Sequence, residues 1–290
     1  MRITHGIIYR NFLRNLDNVT NNLNKEFEQI SSGKRILRPS DDPISIRTTL
    51  KLKDGLKRIE QYERNIDNAI SWLNMTESAL SDMENVINRL EEIAISMGSD
   101  NVSSSERKIA AEEVKQIRSH ALMIANTKFK GRYIFAGFKT DNPPFIEENG
   151  SIVYQGGNDS MEVEVDDGVK ISYNLTGSIF TNIFSLVDDL IDSLNQNDPD
   201  AIRSLLDRIH TSYDQINIAH SSIGAKTKTL NNIKEDFSKR KLLFEDIISK
   251  REDADMASAI SKLYIYQSGY QALLNSFAKI TSVNLFNYIG

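Results

Sequence analysis

The feature that most constrains this chain is a pair of seven-residue repeats, each sustained for more than forty residues. Leu52, Ile59, Ile66, Leu73, Leu80, Ile87 and Ala94 recur every seventh position, with Tyr62, Ala69, Thr76, Met83, Leu90 and Met97 as a companion strip offset by three. Later, Ile202, Ile209, Ile216, Ile223, Leu230, Phe237 and Phe244 do the same. Leu205, Ala219, Ile233 and Ile247 fill most of that second companion strip, interrupted by Ser212, Lys226 and Arg240. A period of seven lies slightly below two helical turns, so it keeps one apolar seam on a helix only if the helix supercoils against a partner. Each repeat therefore predicts a long helix, the first a rod on the order of 80 Å at 1.5 Å per residue. Their similar length makes them natural antiparallel partners. With 5 prolines and 14 glycines in 290 residues, few positions can break such helices.

Local signals set the ends of the elements. Gly33 suits the left-handed conformation that closes a first helix, and Pro39 disfavours helical geometry at Arg38. Asp41 or Asp42 can cap the helix that follows, with Pro43 at its first position. Lys34, Arg35 and Arg38 form either an anion or partner site or a solvated helix end and hinge, and the second is favoured because charge runs are usually solvated. Gly98 and the polar run to Ser105 end the first rod. Ser103 with Glu106 is a capping box for a third helix over 104–128, carrying Ala110, Val114, Ile117, Ala121 and Ile124 on one face. Asp198 and Pro199 mark another stop and restart after a helix that begins near Asn182.

Between the rods the texture changes. Gly131 to Phe138 is rich in glycine and aromatics, two short runs alternate at 151–154 and 161–165, and Asp166-Asp167-Gly168 reads as a hairpin turn into 169–173. This predicts a small β-rich insertion whose aromatics form its core. The chain ends carry seams of their own. Tyr9, Phe12, Leu16, Val19, Leu23 and Ile30 alternate by three and four around Glu26, and Met256, Ile260, Leu263, Tyr270, Leu274 and Phe277 do so around Gln267. The predicted fold is mainly α with a small β-rich insertion: a long antiparallel helical bundle with paired N- and C-terminal helices. Its expected parts are 1–41 with 253–290 as a terminal coiled coil, 42–130 with 183–252 as a helical rod, and 131–182 as a small outer domain.

Chemistry has little to stand on. Cysteine is absent, which removes thiol catalysis, disulfides and cysteine zinc sites and suits either a reducing cytosol or export of an unfolded chain. His5, His120, His210 and His220 are scattered, without a carboxylate at metal-binding helical spacing. Gly156-Gly157 lacks the surroundings of a dinucleotide loop, and no phosphate loop or nucleophile elbow occurs. The acid pairs Asp41-Asp42, Asp166-Asp167 and Asp188-Asp189 fit caps, a turn and a helix face better than an acid and base couple. A net charge of −5 and a pI near 5.5 speak against nucleic acid as a partner. No run reaches the roughly 18 apolar residues of a membrane span, and no signal of the Sec type is expected. The reading is of a non-enzyme with no catalytic, cofactor or metal site. Terminal seams added to rods that already pair leave more apolar face than two helices can hide, and the surplus implies other subunits.

Four segments carry a resemblance. Met1-Arg2-Ile3-Thr4, Ser32-Gly33-Lys34-Arg35-Ile36 with Pro39-Ser40-Asp41-Asp42-Pro43, Gly131-Arg132-Tyr133-Ile134-Phe135-Ala136-Gly137, and Leu285-Phe286-Asn287-Tyr288-Ile289 are similar to the hook-associated protein 3 (FlgL) branch of the flagellin-like superfamily. The likeness covers roughly residues 1–140 and 200–290. The Ser-Gly-Lys-Arg-Ile segment fits flagellin equally, while the Arg-Tyr-Ile-Phe-Ala-Gly and Phe-Asn-Tyr-Ile segments favour the junction branch. The resemblance implies a structural subunit of the bacterial flagellum. It would form a homo-oligomeric ring between hook-associated protein 1 and flagellin, after export by the type III route with an export chaperone. It implies axial contacts by Ile3, Phe12, Leu16, Val19, Leu23, Leu263, Tyr270, Leu274, Phe277 and Leu285, and a hinge at Gly33, Arg35, Pro39, Asp41, Asp42 and Pro43. It also implies termini that order only on assembly, in keeping with an ordering cost of about 1 to 2 kcal/mol per residue. The alternatives are flagellin itself and, from another class, a cytosolic coiled-coil signalling or scaffold protein.

Overall fold

The computed structural model describes residues 5–289, with the side chains of 6–280. Its helices are α1 (His5–Ser32), α2 (Pro43–Met97), α3 (Ser104–Ala125), α4 (Thr181–Gln196), α5 (Pro199–Ser204), α6 (Leu206–Glu252) and α7 (Met256–Ile289). Between α3 and α4 lie β1 (Lys128–Phe129), β2 (Arg132–Tyr133), β3 (Phe145–Glu148), β4 (Ser151–Tyr154), β5 (Glu162–Asp166), β6 (Val169–Ser172) and a short 3₁₀ turn, Gly177–Phe180. The chain divides into two compact units, one of residues 1–58 with 239–290 and the other of 59–238. Both long helices contribute to each unit.

In the 59–238 unit the heptads do what their period demands. Ile66, Leu73, Leu80, Ile87, Met83 and Leu90 on α2 and Ile209, Ile216, Leu230 and Phe237 on α6 are buried, as is Ile202 on α5. The two rods run antiparallel, since their cross-links pair low numbers with high. Tyr62 stacks near Phe237, Lys234 meets Asp67, His220 lies between Glu77 and Glu84, and His210 faces Glu91. Ser212, a polar break in the repeat, is buried because its hydroxyl donates to the Arg208 carbonyl one turn back at 2.9 Å. α3 and α4 complete the bundle: Arg89 reaches Glu113, Arg118 binds Asp188 at 2.7 Å, and buried Arg107 donates to the carbonyls of Met97 and Ser99.

The expected caps form. Ser103 and Glu106 make both halves of the capping box, Asp198 accepts from the Ala201 N–H, and Pro199 opens α5. α3 is shorter than the span read from sequence and ends at Ala125, where Asn126 turns its side chain to both the N–H and the carbonyl of Phe145. The return rod is likewise not one helix. It is interrupted at Leu205, although the seam residues Ile202 and Ile209 on either side stay buried.

The insertion is three separate antiparallel hairpins, β1–β2, β3–β4 and β5–β6. The Asp166-Asp167-Gly168 turn joins β5 and β6 as expected, with Gly168 at φ +72°. β3 went unread in the sequence although Asn149-Gly150, both at positive φ, is the strongest two-residue hairpin signal. The aromatics pack as a core that reaches beyond the insertion. Phe135 meets Phe180 edge to face, and Phe145 contacts Tyr154, Phe180 and Phe184.

Candidate assembly surface and joint

The 1–58 and 239–290 unit is built on α1 against α7. Phe12 stacks on Phe277 with centroids 3.9 Å apart at 14°, and Tyr9 leans on the same ring at 5.9 Å. Phe12, Leu16, Val19 and Leu23 on α1 and Leu263, Tyr270 and Phe277 on α7 are half-buried. Leu274 is exposed. Ile3 lies outside the described residues, and the Leu285 side chain lies outside the described side chains.

Structure and sequence choose different registers on α7. The more covered strip is Ala259, Leu263, Tyr266, Tyr270, Leu273 and Phe277, spaced by four and three. Met256, Ile260 and Leu274 belong to the other strip and are each 41% exposed, with Gln267 exposed beside them. The two readings share Leu263, Tyr270 and Phe277. Sequence alone could not separate them, because α7 is apolar over most of its circumference and both strips keep heptad spacing. Gln267 is therefore no interruption of the inner seam.

What distinguishes this pair from the rods is incomplete burial. Among the described residues, Ala259 is the one buried position on α7, and on α1 it is Glu26, whose Oε2 has no hydrogen-bond donor. An unsatisfied buried oxygen costs about 1–3 kcal/mol. Large apolar side chains stand outside the seam: Leu13, Phe27, Tyr264 and Ile265, the last two 66% and 67% exposed. A helix pair in this condition offers an apolar surface on more than one side.

The joint between α1 and α2 is tied to the segment before α7. Gly33 takes φ +69° and its carbonyl accepts from the Ala254 N–H at 2.9 Å, while the Arg35 N–H donates to the Glu252 carbonyl at 2.7 Å. Lys34 binds Asp253 at 2.7 Å, the Arg35 guanidinium donates to the Arg251 carbonyl at 2.8 Å and approaches Asp42, and Lys53 sits on Glu252. Lys34 and Arg35 are thus neither a free anion site nor merely solvated; they clip two distant stretches of chain together. Pro39 lies in the turn that Asp41 organises by accepting from the Leu37 and Arg38 N–H groups. Asp42 caps α2 through the Ser45 N–H, and Pro43 is the first helical residue. Hydrogen bonding from Arg38 holds the Asp41 carboxyl below its ordinary range, and Ser45 does the same for Asp42. The bond between Lys34 and Asp253 lowers the acid and raises the amine.

Among the described residues no cluster of His, Asp and Glu is arranged to hold a metal ion, and no helix is long and apolar enough to cross a membrane.

Residues 3–140 match the bacterial flagellin N-terminal helical region. The chain is 27% identical to Flagellar hook-associated protein 3 of Escherichia coli (strain K12), over 99% of both proteins. Among solved structures it resembles a putative flagellar hook-associated protein from Vibrio parahaemolyticus (TM-score 0.66, 22% identity, 73% of this chain and 100% of that one). It also resembles the flagellar junction protein FlgL from Legionella pneumophila (TM-score 0.62, 18% identity, 71% of this chain and 100% of that one).

Proposed function

From the premise that this chain is a relative of flagellar hook-associated protein 3, with a mainly α flagellin-like fold, and a structural protein of the flagellum, we propose that it forms the junction ring between hook-associated protein 1 and flagellin. The observation that carries this reading is the half-covered terminal pair. α1 and α7 meet through Phe12, Leu263, Tyr270 and Phe277, yet leave apolar side chains exposed on both helices. Neighbouring subunits would supply the missing cover, with Leu16, Val19, Leu23 and Leu274 in the same surface and Ile3 and Leu285 extending it. Residues 1–41 with 253–290 would then act as the assembling part, 42–130 with 183–252 as the rod, and 131–182 as the outer part. Gly33, Arg35, Pro39, Asp41, Asp42 and Pro43 would set the course of the chain between the first two. The absence of cysteine agrees with an exported route, as it does with a reducing cytosol, because a chain secreted unfolded cannot then acquire a wrong disulfide.

Deletion of the gene should leave cells non-motile and shedding flagellin monomers into the medium. Loss of the filament subunit itself would be the outcome of the second reading, flagellin, whose N-terminal helical region residues 3–140 also match. Removing residues 263–290 should leave a soluble, folded rod that does not join a flagellum. Incorporation of that truncated chain would overturn the role given to the terminal seam.

A further inference from the structure

On α1 one residue combines the deepest burial with the least suitable chemistry. Phe12, Leu16, Val19, Leu23 and Ile30 form the inner strip of the helix and are half-buried. Glu26, in the same strip, is 8% exposed and the most covered of the described side chains on α1. The α1 and α7 pair is antiparallel, since Gly33 is bonded to Ala254 at one end and Phe12 is stacked on Phe277 further along. That register sets Glu26 level with the stretch from Ala259 to Tyr266, where the covered strip of α7 is Ala259, Leu263 and Tyr266.

The Glu26 Oε2 is buried and has no donor. Donors of the adjoining joint are engaged elsewhere. Lys34 holds Asp253, Arg35 holds Asp42 and the Arg251 carbonyl, Lys53 holds Glu252, and the charge of Lys25 acts on Asp41. The Ser45 hydroxyl serves Asp42, and the Thr49 Oγ1 is itself buried without a partner. Buried polar residues in the rods are treated differently. Thr76 and Ser212 each donate to the carbonyl one turn back, so the helix satisfies them. A carboxylate only accepts, and in mid-helix the N–H groups are already used by the helix itself. The penalty for the unpaired oxygen falls on the closed pair alone, because water reaches the group once α1 lifts from α7.

We propose that Glu26 is a release residue of the terminal pair: it holds the closure of α1 on α7 near balance in the lone chain, so that the two helices part readily and their apolar strips become available to neighbouring subunits. The use by neighbours rests on the assembly reading given above; the weakening of closure does not.

Amide exchange of the full-length chain tests the weakening. Glu26→Met keeps the length and helix propensity of the side chain and removes its oxygens. Exchange over 16–30 should slow at least about fivefold against wild type. The same change at exposed Glu28 should leave it as it is. Trp72 is the single tryptophan and belongs to the other unit, so its urea transition, expected to stay in place in both variants, checks that the rod is intact. In a deletion strain the Glu26→Met gene should restore less motility than the Glu28→Met gene, because a pair that stays closed is withheld from assembly. Exchange that is unchanged, faster, or slowed equally by Glu28→Met overturns the proposal. Slowed exchange with motility fully restored overturns the link to assembly. A deletion strain that remains motile sinks the assembly reading instead, and leaves the exchange result standing.

Discussion

His220 gives the rod a pH-dependent clip whose strength follows from its geometry. Its Nδ1 lies 2.8 Å from Glu84 on α2 and its Nε2 3.6 Å from Glu77. The hydrogen bond to Glu84 is the main cause of a pKa raised above the ordinary histidine value, with both carboxylates adding attraction and burial opposing it. A group whose pKa is raised by folding stabilises the fold fully below its unfolded value, near 6.5, and stops doing so as pH rises through its folded value. The His220 side chain is 30% exposed and that of Glu84 18%, so solvent screens part of the attraction and about 1 kcal/mol is the reasonable scale. His220→Gln keeps a hydrogen-bonding side chain but no charge. Wild type should therefore be more stable than the variant by about 1 kcal/mol near pH 5.5, a Tm difference of about 2–4 °C for a body of this size, with the gap closing at pH 8.5. Urea or thermal unfolding of both proteins across that range measures it. A gap that stays constant with pH, or widens in alkali, would refute the reasoning.

Leu80 is fully buried in the rod, so Leu80→Ala should cost about 2–5 kcal/mol, read as a lower urea midpoint at unchanged slope. Gly137→Ala combines a left-handed φ with overlap against Gly157 and should destabilise the insertion by more than about 1 kcal/mol, seen as faster amide exchange in 134–157. Acid should loosen the joint: Asp41, Asp42 and Asp253 are held below their ordinary pKa, so the stability they add is present above the ordinary carboxylate range and is lost as pH falls through their lowered values. Amide exchange across 33–46 and 251–255 should rise there, and exchange independent of pH after correction for its intrinsic rate would count against it.

The rods and their ends were legible because each depends on neighbours close in sequence. A heptad repeat fixes the period of a helix, a capping box is complete within four residues, and Gly33 and Pro43 act on the backbone where they stand. The joint was half legible. Gly33, Pro39, Asp41, Asp42 and Pro43 announced a turn and a cap, but nothing local told that Lys34 would meet Asp253 or that Arg35 would meet Arg251, some 216 residues away. The β3–β4 hairpin is legible in Asn149-Gly150, whose positive φ values are those a two-residue turn requires. On α7 the sequence supplied two valid seams, and only the presence of α1 selected Ala259, Tyr266 and Leu273 over Ile260 and Leu274.

By itself, then, the sequence determined that this chain makes long helices with more apolar face than they can hide, since periodicity and composition are properties of the chain alone. Which face is spent inside the molecule and which is left for others was decided by tertiary packing. Burial is a property of pairs of surfaces, and a strip becomes inner or outer only when another helix has been laid against it.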